Sequence, residues 1–323
     1  GVLDTIGTID AVGHRVVHGA EEYHESVLID EKVIETIEKL IYLAPLHNKA
    51  NLAGIKAIRS RYPKIKQVAV FDTSFHQTIP PYAYMYALPY ALYEEEKIRR
   101  YGFHGTSHRY IATTAASYLN QPLDSLNLIT FHLGNGDSVC AVQNGKSIDT
   151  SMGFTPLEGL IMGTRCGDLD PEIILYLQRH KGMSIEMIDQ MLNKESGLKG
   201  ICGVSDMRDV IALGKQGNQR AILAIDMFTY HAKKYLGSYM AILKDVDAIV
   251  FTGGIGEHSA LIREKILANM EPFGILLDRE KNLVVQTDPL EISADGSAVK
   301  LIVIHTDEER EIARETIKTI EQS

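Results

Sequence analysis

Two arginines stand beside features that could bring an anion within their reach. Arg15 lies near the end of the β-rich segment 9–17, and Arg165 lies inside the glycine-rich stretch 153–167. A guanidinium group is planar, always charged and able to bond a carboxylate or a phosphate through two parallel N–H groups. Each arginine is therefore a candidate for holding an anionic substrate, although its spacing predicts a surface salt bridge equally well.

Three glycine-rich turns could hold phosphate groups, at 134–136, 153–167 and 253–256. Exposed backbone N–H groups in such turns can cradle anionic oxygens. One such turn alone favours an ordinary tight turn, but three in one chain favour a nucleotide. Neither Gly134 nor Gly254 opens a full GxGxxG pattern, so a dinucleotide site is disfavoured.

Two carboxylates occupy positions from which a sheet or a helix could present them to a ligand. Asp72 directly follows the segment 67–71, which is predicted to be a short buried strand. Ligands of open α/β sheets bind outside the carboxyl ends of the strands, and the alternative role for Asp72 is to cap the next helix. Glu308 falls in the first turn of the last predicted helix, where the helix dipole favours negative charge. Spacing alone does not predict magnesium binding there.

The twelve histidines raise the question of a metal site. The pairs His14/His18 and His104/His108 have the i, i+4 spacing that places two ligands on one helical face. The sequence predicts a strand and a loop at these positions, and it contains no HExxH motif. A catalytic zinc site is therefore disfavoured, and we expect these histidines to bond to neighbours or to a ligand.

Composition excludes several classes of protein. The chain carries 33 Lys and Arg against 42 Asp and Glu, a formal net charge of −9, which disfavours a nucleic-acid partner. Three cysteines without a CxxC pair disfavour a disulfide framework and favour a reducing cytoplasm. No apolar run reaches the length of a membrane-spanning helix, so we expect no membrane partner.

Strand-like and helical patterns alternate along the chain, which predicts an α/β architecture. The predicted strands are 9–17, 67–71, 126–133, 138–143, 147–150, 248–252 and 300–304. Asn144-Gly145 predicts a type I′ hairpin turn. Residues 306–309, Thr-Asp-Glu-Glu, predict a capping box at the start of the last helix. The Pro- and Tyr-rich segment 80–93 is predicted to be irregular.

Taken together, nine motifs resemble the acetate kinase (acetokinase) family of the actin-like phosphotransferase superfamily. They follow the family order and span essentially the whole chain. The motifs are Gly13-His14-Arg15-Val16-Val17-His18-Gly19, Pro45-Leu46-His47-Asn48, Phe71-Asp72-Thr73, Tyr101-Gly102-Phe103-His104-Gly105-Thr106-Ser107-His108, His132-Leu133-Gly134-Asn135-Gly136, Met162-Gly163-Thr164-Arg165, Ser205-Asp206-Met207-Arg208, Thr252-Gly253-Gly254-Ile255-Gly256-Glu257 and Thr306-Asp307-Glu308-Glu309.

The resemblance implies a two-domain actin-like α/β fold with an interdomain cleft. The first domain would comprise residues 1–76, completed by the C-terminal helix 306–323. The second domain, at 77–305, would bind the nucleotide. The resemblance also implies a cytoplasmic homodimer.

The implied reaction moves the γ-phosphoryl group of ATP to acetate and gives acetyl phosphate and ADP. Catalysis would rest on positioning and on neutralising charge, since both reactants are anions. Arg15 would hold the acetate or the phosphoryl group in transfer, and His104 and Arg165 would stabilise its oxygens. Asp72 would take the family's catalytic carboxylate role by orienting Arg15 or magnesium-bound water, because acetate is already ionised at pH 7. Glu308 would ligate Mg²⁺.

The resemblance also assigns binding residues. The substrate residues would be Arg15, Val17, Leu46, His47, Phe103 and Pro156. The nucleotide residues would be His132, Leu133, Gly134, Asn135, Gly136, Asp206, Met207, Arg208, Gly254, Ile255, Gly256, Glu257 and His258. One methylene in an apolar pocket is worth about 1–3 kcal/mol, so propionate or another short-chain acid is an alternative substrate.

Several positions depart from the family pattern. Family members begin with a strand and a phosphate loop that would precede Gly1, and we expect this N-terminal segment to be absent here. His258 stands where Asn is common, Cys166 where Ser is common and Ala20 where Gly is common. A non-catalytic nucleotide-binding fragment is therefore an alternative, and a metal-dependent hydrolase is a third, supported only by the histidine pairs.

Overall fold

The computed structural model of the protein describes residues 9–284 and 288–323, without the side chains of Pro45 and Leu46. The strands of these residues are β1 (Ala11–Val16), β2 (Val27–Leu28), β3 (Lys66–Phe71), β4 (Asn127–Leu133), β5 (Asp137–Gln143), β6 (Lys146–Thr150), β7 (Ala248–Thr252), β8 (Leu290–Glu291) and β9 (Lys300–Val303).

The helices of the same residues are α1 (Glu31–Lys39), α2 (Pro45–Arg61), α3 (Pro81–Tyr84), α4 (Ala91–Glu96), α5 (Gly105–Leu119), α6 (Glu172–Lys181), α7 (Ile185–Gln190), α8 (Gly197–Cys202), α9 (Met207–Lys215), α10 (Gln219–Leu243), α11 (Gly253–His258), α12 (Ala260–Leu267), α13 (Arg279–Leu283) and α14 (Glu308–Glu321). Shorter 3-10 and π-helical segments link them at Leu40–Leu43, Ser74–Thr78, Leu123–Ser125, Met191–Glu195 and Glu271–Phe273.

The chain divides into two compact units, and the first contains a three-stranded sheet. Its described residues are 9–78, Tyr101–Tyr110 and Asp307–Ser323. β3 lies between β1, which it pairs in parallel, and β2, which it pairs in antiparallel. α14 packs so closely on β1 that a Cβ atom at Gly13 would lie 2.4 Å from Thr316 Oγ1. Only glycine leaves room for this contact.

The second unit contains a six-stranded mixed sheet in the order β6-β5-β4-β7-β9-β8. β4, β7 and β9 run in parallel, whereas β5, β6 and β8 are antiparallel to their neighbours. Apolar residues of β4, β7 and the long helix α10 form its core, where the rings of Phe131 and Phe251 stack at 5.2 Å. The parallel strands β4 and β7 end side by side, with His132 opposite Thr252.

The segment Tyr101–Tyr110 groups with the first unit, whereas the predicted boundaries placed it in the second domain. Two hydrogen bonds explain this difference. Gly105 N donates to the carbonyl oxygen of Asp72 at 2.9 Å, and His76 Nε2 lies 2.9 Å from the carbonyl oxygen of Phe103. These contacts join residues distant in the sequence, so local patterns do not indicate them.

Predictions from local sequence can be compared with the structure at the hairpin, at the start of the last helix and in the segment 80–93. The predicted hairpin is confirmed, because β5 and β6 flank Asn144 and Gly145, both of which have positive φ. The last helix is capped differently from the prediction. Asp307 is its N-cap and accepts from Arg310 N at 2.9 Å, so Thr306 does not begin a capping box. The segment 80–93 contributes to α3 and α4, which are short helices that its prolines do not prevent.

Helices of the described residues are either too short or too polar to span a lipid bilayer.

Candidate active site

Within the first unit, Arg15 and Asp72 lie at the ends of neighbouring parallel strands. Arg15 is near the end of β1, and Asp72 directly follows β3, with its N–H donating to the carbonyl oxygen of Val16 at 2.9 Å. Arg15 Nε donates to both carboxylate oxygens of Asp72, at 2.9 and 3.1 Å. The side chain of Asp72 is 1% exposed, whereas that of Arg15 is 44% exposed. The buried carboxylate therefore anchors a guanidinium group that solvent and an anion can reach.

A second element fixes Asp72 from the side of α5. Thr106 Oγ1 donates to Asp72 Oδ1 at 3.1 Å, and Gly105 N donates to the Asp72 carbonyl oxygen. A Cβ atom at Gly105 would lie 2.1 Å from that carbonyl oxygen, so the approach requires glycine. Sequence reasoning did not single out Thr106 as a partner of Asp72. The available signal was the Gly-Thr pair at a helix start.

Glu308, in the first turn of α14, belongs to the same group of charges. Burial and the Asp72 carboxylate raise the pKa of Glu308, while Arg15 opposes this shift. Among the described residues, Glu308 Oε1 is buried without a hydrogen-bond partner. Mg²⁺ prefers oxygen ligands and usually takes one or two carboxylates together with water and substrate phosphates. An unpartnered buried carboxylate oxygen fits this donor chemistry, although no cluster of three ligating side chains occurs in the described part of the chain.

Two of the histidines in this unit belong to its packed interior. His18 and His76 are fully buried, and the His18 ring meets the rings of Tyr101 and Phe103 edge-on, at 4.5 and 5.6 Å. Burial lowers the pKa of His76 to about 4. His104 is half-buried and has a positive φ of 56° directly before α5.

The residues expected to bind the acyl group are distributed as follows. Val17 and Phe103 are buried, and His47 is exposed. The side chain of Leu46 lies outside the described residues. Pro156 belongs to the second unit, where its carbonyl oxygen accepts a hydrogen bond from Arg165 Nη1 at 2.7 Å. Binding of acetate by this set stays a prediction.

In the second unit, two glycine turns follow β4 and β7. Gly253 has a φ of +77°, and a Cβ atom there would lie 2.5 Å from the carbonyl oxygen of Leu133. The turn after β7 therefore approaches the end of β4 as closely as only glycine allows. The register of the two parallel strands brings the turns 134–136 and 253–256 to the same edge of the sheet.

A cavity of about 640 Å³ opens at this edge. Eight residues expected to bind the nucleotide line it: Gly134, Asn135, Asp206, Met207, Arg208, Gly254, Ile255 and His258. Three further lining residues were not predicted: Ser205, Ile211 and Ser259. Glycine, serine and apolar side chains around one cavity suit a ligand with both a flat apolar part and anionic groups.

The acidic and basic groups at the cavity form one exposed pair. Asp206 is the N-cap of α9 and accepts from Arg208 N at 2.9 Å. The guanidinium group of Arg208 bonds the same carboxylate and holds the pKa of Asp206 down to about 2. The side chain of Arg208 is 88% exposed, so this pair lies at the rim of the cavity.

The remaining predicted nucleotide residues are His132, Leu133, Gly136, Gly256 and Glu257, and they do not line this cavity. The carboxylate of Glu257 instead accepts hydrogen bonds from residues of its own unit. It accepts from Thr252 Oγ1 at 3.1 Å, from Gly253 N at 2.9 Å and from Thr306 N at 3.1 Å. Glu257 thus fixes the turn after β7, because it satisfies the N–H and hydroxyl donors around it.

Arg165 and Asp137 lie near enough in the second unit to influence each other's charge through space. Burial lowers the pKa of Arg165, and the Asp137 carboxyl opposes that shift. Asp137 is fully buried and accepts from Gly134 N at 2.6 Å. Sequence reasoning did not identify Asp137, since a lone aspartate after a glycine turn resembles an ordinary turn residue.

The protein has an α/β fold, glycine turns at the carboxyl ends of parallel strands and an arginine anchored by a buried carboxylate. These features are typical of a nucleotide-dependent phosphotransferase. Comparison with known proteins identifies the family. The model of the Acetokinase family matches residues 2–314. The chain belongs to this family.

Curated relatives are similar over almost the whole chain. The acetate kinase of Syntrophobacter fumaroxidans is 56% identical over 98% of this chain and 77% of its own length. The acetate kinase of Caldicellulosiruptor bescii is 55% identical over 98% of this chain and 80% of its own length.

Solved structures share the fold. The acetate kinase of Porphyromonas gingivalis superposes with a TM-score of 0.96 at 46% identity, covering 99% of this chain and 80% of that chain. A propionate kinase from Francisella tularensis superposes with a TM-score of 0.92 at 48% identity, covering 97% of this chain and 80% of that chain. The expectation of an α/β fold of the actin-like acetate and sugar kinase class is confirmed.

Proposed function

We propose that this chain transfers the γ-phosphoryl group of ATP reversibly to acetate, giving acetyl phosphate and ADP. The observation that carries the proposal is the anchored guanidinium group of Arg15, in a chain that matches acetate kinases along nearly its whole length. A carboxylic acid is a fitting acceptor, because a half-exposed guanidinium group bonds a carboxylate through two N–H groups.

Phosphoryl transfer between these two anions requires that the protein position them and neutralise their charge. A carboxylate oxygen of acetate forms a bond to the γ-phosphorus, the bond from that phosphorus to the β–γ bridging oxygen breaks, and its electron pair leaves with ADP. Arg15 holds the anion while Asp72 keeps the guanidinium group in place. Asp72 has no proton to remove from acetate, which is ionised at neutral pH. His104 and Arg165 stabilise charge on the phosphoryl oxygens.

The cavity of the second unit takes ATP or ADP. Its two glycine turns offer backbone N–H groups to the phosphates, and Ile211 and Ile255 offer apolar contacts to the base. Glu308 would hold Mg²⁺, which neutralises phosphate charge when it is bound. Family membership further supports a cytoplasmic homodimer whose substrate partners are acetate, acetyl phosphate, ATP and ADP.

The experiment is direct in both directions. The purified protein, given acetate, ATP and Mg²⁺, should form an acyl phosphate that hydroxylamine traps as acetohydroxamate. Given acetyl phosphate and ADP, it should form ATP. Absence of product in both directions, from protein shown to be folded by circular dichroism, would contradict the proposal.

Propionate is the second candidate acceptor, because a propionate kinase is among the structures that this chain resembles. Val17 is buried and was expected to line the acyl pocket. Replacing it by alanine should shift the ratio of kcat/KM values from acetate towards propionate by about tenfold, because a pocket enlarged by two methyl groups admits one more methylene. Val12→Ala, on the strand β1 that ends just before Val17, is the control. An unchanged ratio in Val17→Ala would remove Val17 from the acyl pocket.

A further inference from the structure

Asp137 is a fully buried carboxyl group next to the turn that faces the nucleotide cavity. It is the first residue of β5 and pairs with Leu133, the last residue of β4. Between them lies the turn 134–136, of which Gly134 and Asn135 line the cavity. The side chain of Asp137 therefore lies beneath a turn expected to receive phosphate oxygens.

One oxygen of this carboxyl group determines the shape of the turn. Asp137 Oδ1 accepts from Gly134 N at 2.6 Å, which fills the hydrogen-bonding capacity of that N–H group. Of the two residues of this turn that line the cavity, Asn135 is then the one whose N–H group is left for a phosphate. Loss of the Asp137 bond would leave the Gly134 N–H unsatisfied and the turn without its internal constraint.

The other oxygen has no such bond. Among the described residues, Asp137 Oδ2 is buried without a hydrogen-bond partner. Burial raises the pKa of this carboxyl group well above its ordinary value, and the Gly134 N–H opposes the shift from the side of Oδ1 only. Arg165 opposes this shift through space but donates its Nη1 hydrogen to the carbonyl oxygen of Pro156 instead.

We propose that Asp137 is a positioning residue for the nucleotide phosphates, which in its neutral form holds the turn 134–136 open to them and in its ionised form repels them. The proposal deepens the proposed function and rests on it. A proton on Oδ2 keeps the carboxyl group neutral while Oδ1 still accepts from Gly134. When the proton leaves, a negative charge stands under the phosphate turn in a medium of low polarity, where repulsion is strong.

Two variants separate the hydrogen bond from the charge. Asp137→Asn keeps an oxygen that can accept from Gly134 N and carries no charge at any pH. Asp137→Ala removes both. The neighbouring titratable or charged groups, Arg165 in its loop and His132 on β4, are the same in all proteins compared. Asp149→Asn is the matched control, because Asp149 is a largely buried aspartate of the same sheet that does not line the cavity.

The measurement is the affinity for Mg²⁺-ADP by calorimetry on the whole chain, across the pH range in which circular dichroism shows the protein folded. Wild-type protein and Asp149→Asn should lose affinity as the pH rises. Asp137→Asn should match the wild type at the acidic end and show no such loss. Asp137→Ala should bind about tenfold more weakly than Asp137→Asn at every pH, with KM for ATP raised more than kcat is lowered.

The outcomes are distinguishable. If the wild type binds ADP and Asp137→Asn reproduces its pH dependence, the role of Asp137 is contradicted while the proposed function stands. If the wild type binds no ADP at any pH, the proposed function fails and this inference with it. Circular dichroism of each variant shows whether it folds, and the isosteric Asn variant carries the test if the Ala variant does not.

Discussion

At the scale of single residues, unequal exposure decides what a charged pair can do. Asp72 is buried and receives bonds from Arg15 and Thr106, whereas much of the Arg15 side chain remains accessible. A buried carboxylate whose bonds are satisfied acts as a fixed anchor, and the exposed cation keeps donors for a ligand. The pair is thus built for holding an anion rather than for transferring a proton.

Arginine removal should affect turnover more than nucleotide binding. We expect Arg15→Ala and Arg165→Ala each to lower kcat by about 10²–10³, because both charges would act where charge redistributes during transfer. The dissociation constant of ADP should change far less. Steady-state kinetics and calorimetry measure the two quantities. Arg179→Ala, which removes an exposed ion pair with Glu172, is the control, and an unchanged kcat in Arg15→Ala and Arg165→Ala would place both arginines outside the reacting centre.

His76 should make stability fall in acid. Its pKa is about 4 in the folded protein because of burial, against an ordinary value of 6.5. Between these two pH values the unfolded chain binds a proton that the folded chain does not, so the free energy of unfolding decreases as the pH falls through this window. The full loss is about 3 kcal/mol below pH 4.

The comparison that checks this is urea unfolding of the wild type and of His76→Gln, at neutral pH and at a pH near 4.5. Other titrating groups cancel in the difference. Circular dichroism follows the transition, since the chain contains no tryptophan. Parallel pH profiles for the two proteins would show that His76 does not contribute.

At the scale of elements, the loop 151–168 is held by groups from outside it. Arg100 Nη2 donates to Glu158 at 2.6 Å, and its Nη1 donates to the carbonyl oxygens of Thr150, Ser151 and Met152. The hydroxyl of Tyr86 donates to the same Glu158 carboxylate. Since Arg165 belongs to this loop, these bonds fix the backbone from which its guanidinium group extends.

Replacing Arg100 should therefore destabilise the fold and disturb the site together. Arg100→Met keeps much of the apolar stem but removes the donor to Glu158 Oε1 and to three carbonyl oxygens, so we expect a loss of about 2–4 kcal/mol. Turnover should fall as well. The matched control is Arg179→Met, which removes only an exposed ion pair and should cost under about 0.5 kcal/mol. Equal urea midpoints for the two variants would contradict this role of Arg100.

At the scale of the whole molecule, each compact unit has its own apolar core and its own chemistry. The first unit contains Arg15, Asp72 and Glu308, and the second contains the cavity with its glycine turns. The net charge of −9 gives anionic substrates no general attraction, so affinity must come from these local groups. Ligand binding is then coupled to the stability of the unit that contains the cavity.

ADP should raise the thermal stability of the protein, and blocking the cavity should abolish the effect. A ligand at a hundred times its Kd stabilises by about 2.7 kcal/mol. Gly254 lines the cavity, and a Cβ atom there meets no atom within 4 Å, so Gly254→Leu should fold and fill the space. Calorimetric melting with and without Mg²⁺-ADP measures the shift.

Gly237→Leu supplies the control, because a Cβ atom at Gly237 also meets nothing within 4 Å and this position does not line the cavity. It should keep the full shift. The same shift in Gly254→Leu as in the wild type would show that ADP binds elsewhere.

Local sequence was enough to predict seven of the nine strands in the described residues, whereas β2 and β8, of two residues each, were not predicted. β7 covers the predicted residues 248–252, and the Asn144-Gly145 hairpin follows from the φ values that these two residues tolerate. Ala20 also takes a positive φ of 49°, at a position where the family resemblance expects glycine. Such features depend on a few adjacent residues, which is why composition and spacing predict them.

The sequence by itself determined the α/β architecture, the glycine turns at strand ends and the candidate residues Arg15, Asp72, Arg165 and Glu308. Only the tertiary structure decided how they are held. Asp72 meets Thr106 across 34 residues, Glu257 turns its carboxylate inward, and Asp137 is buried beside the turn 134–136. Burial and long-range hydrogen bonds depend on how distant segments pack, and no local pattern encodes that packing. They set the charge and the direction of each group, and thus its chemistry.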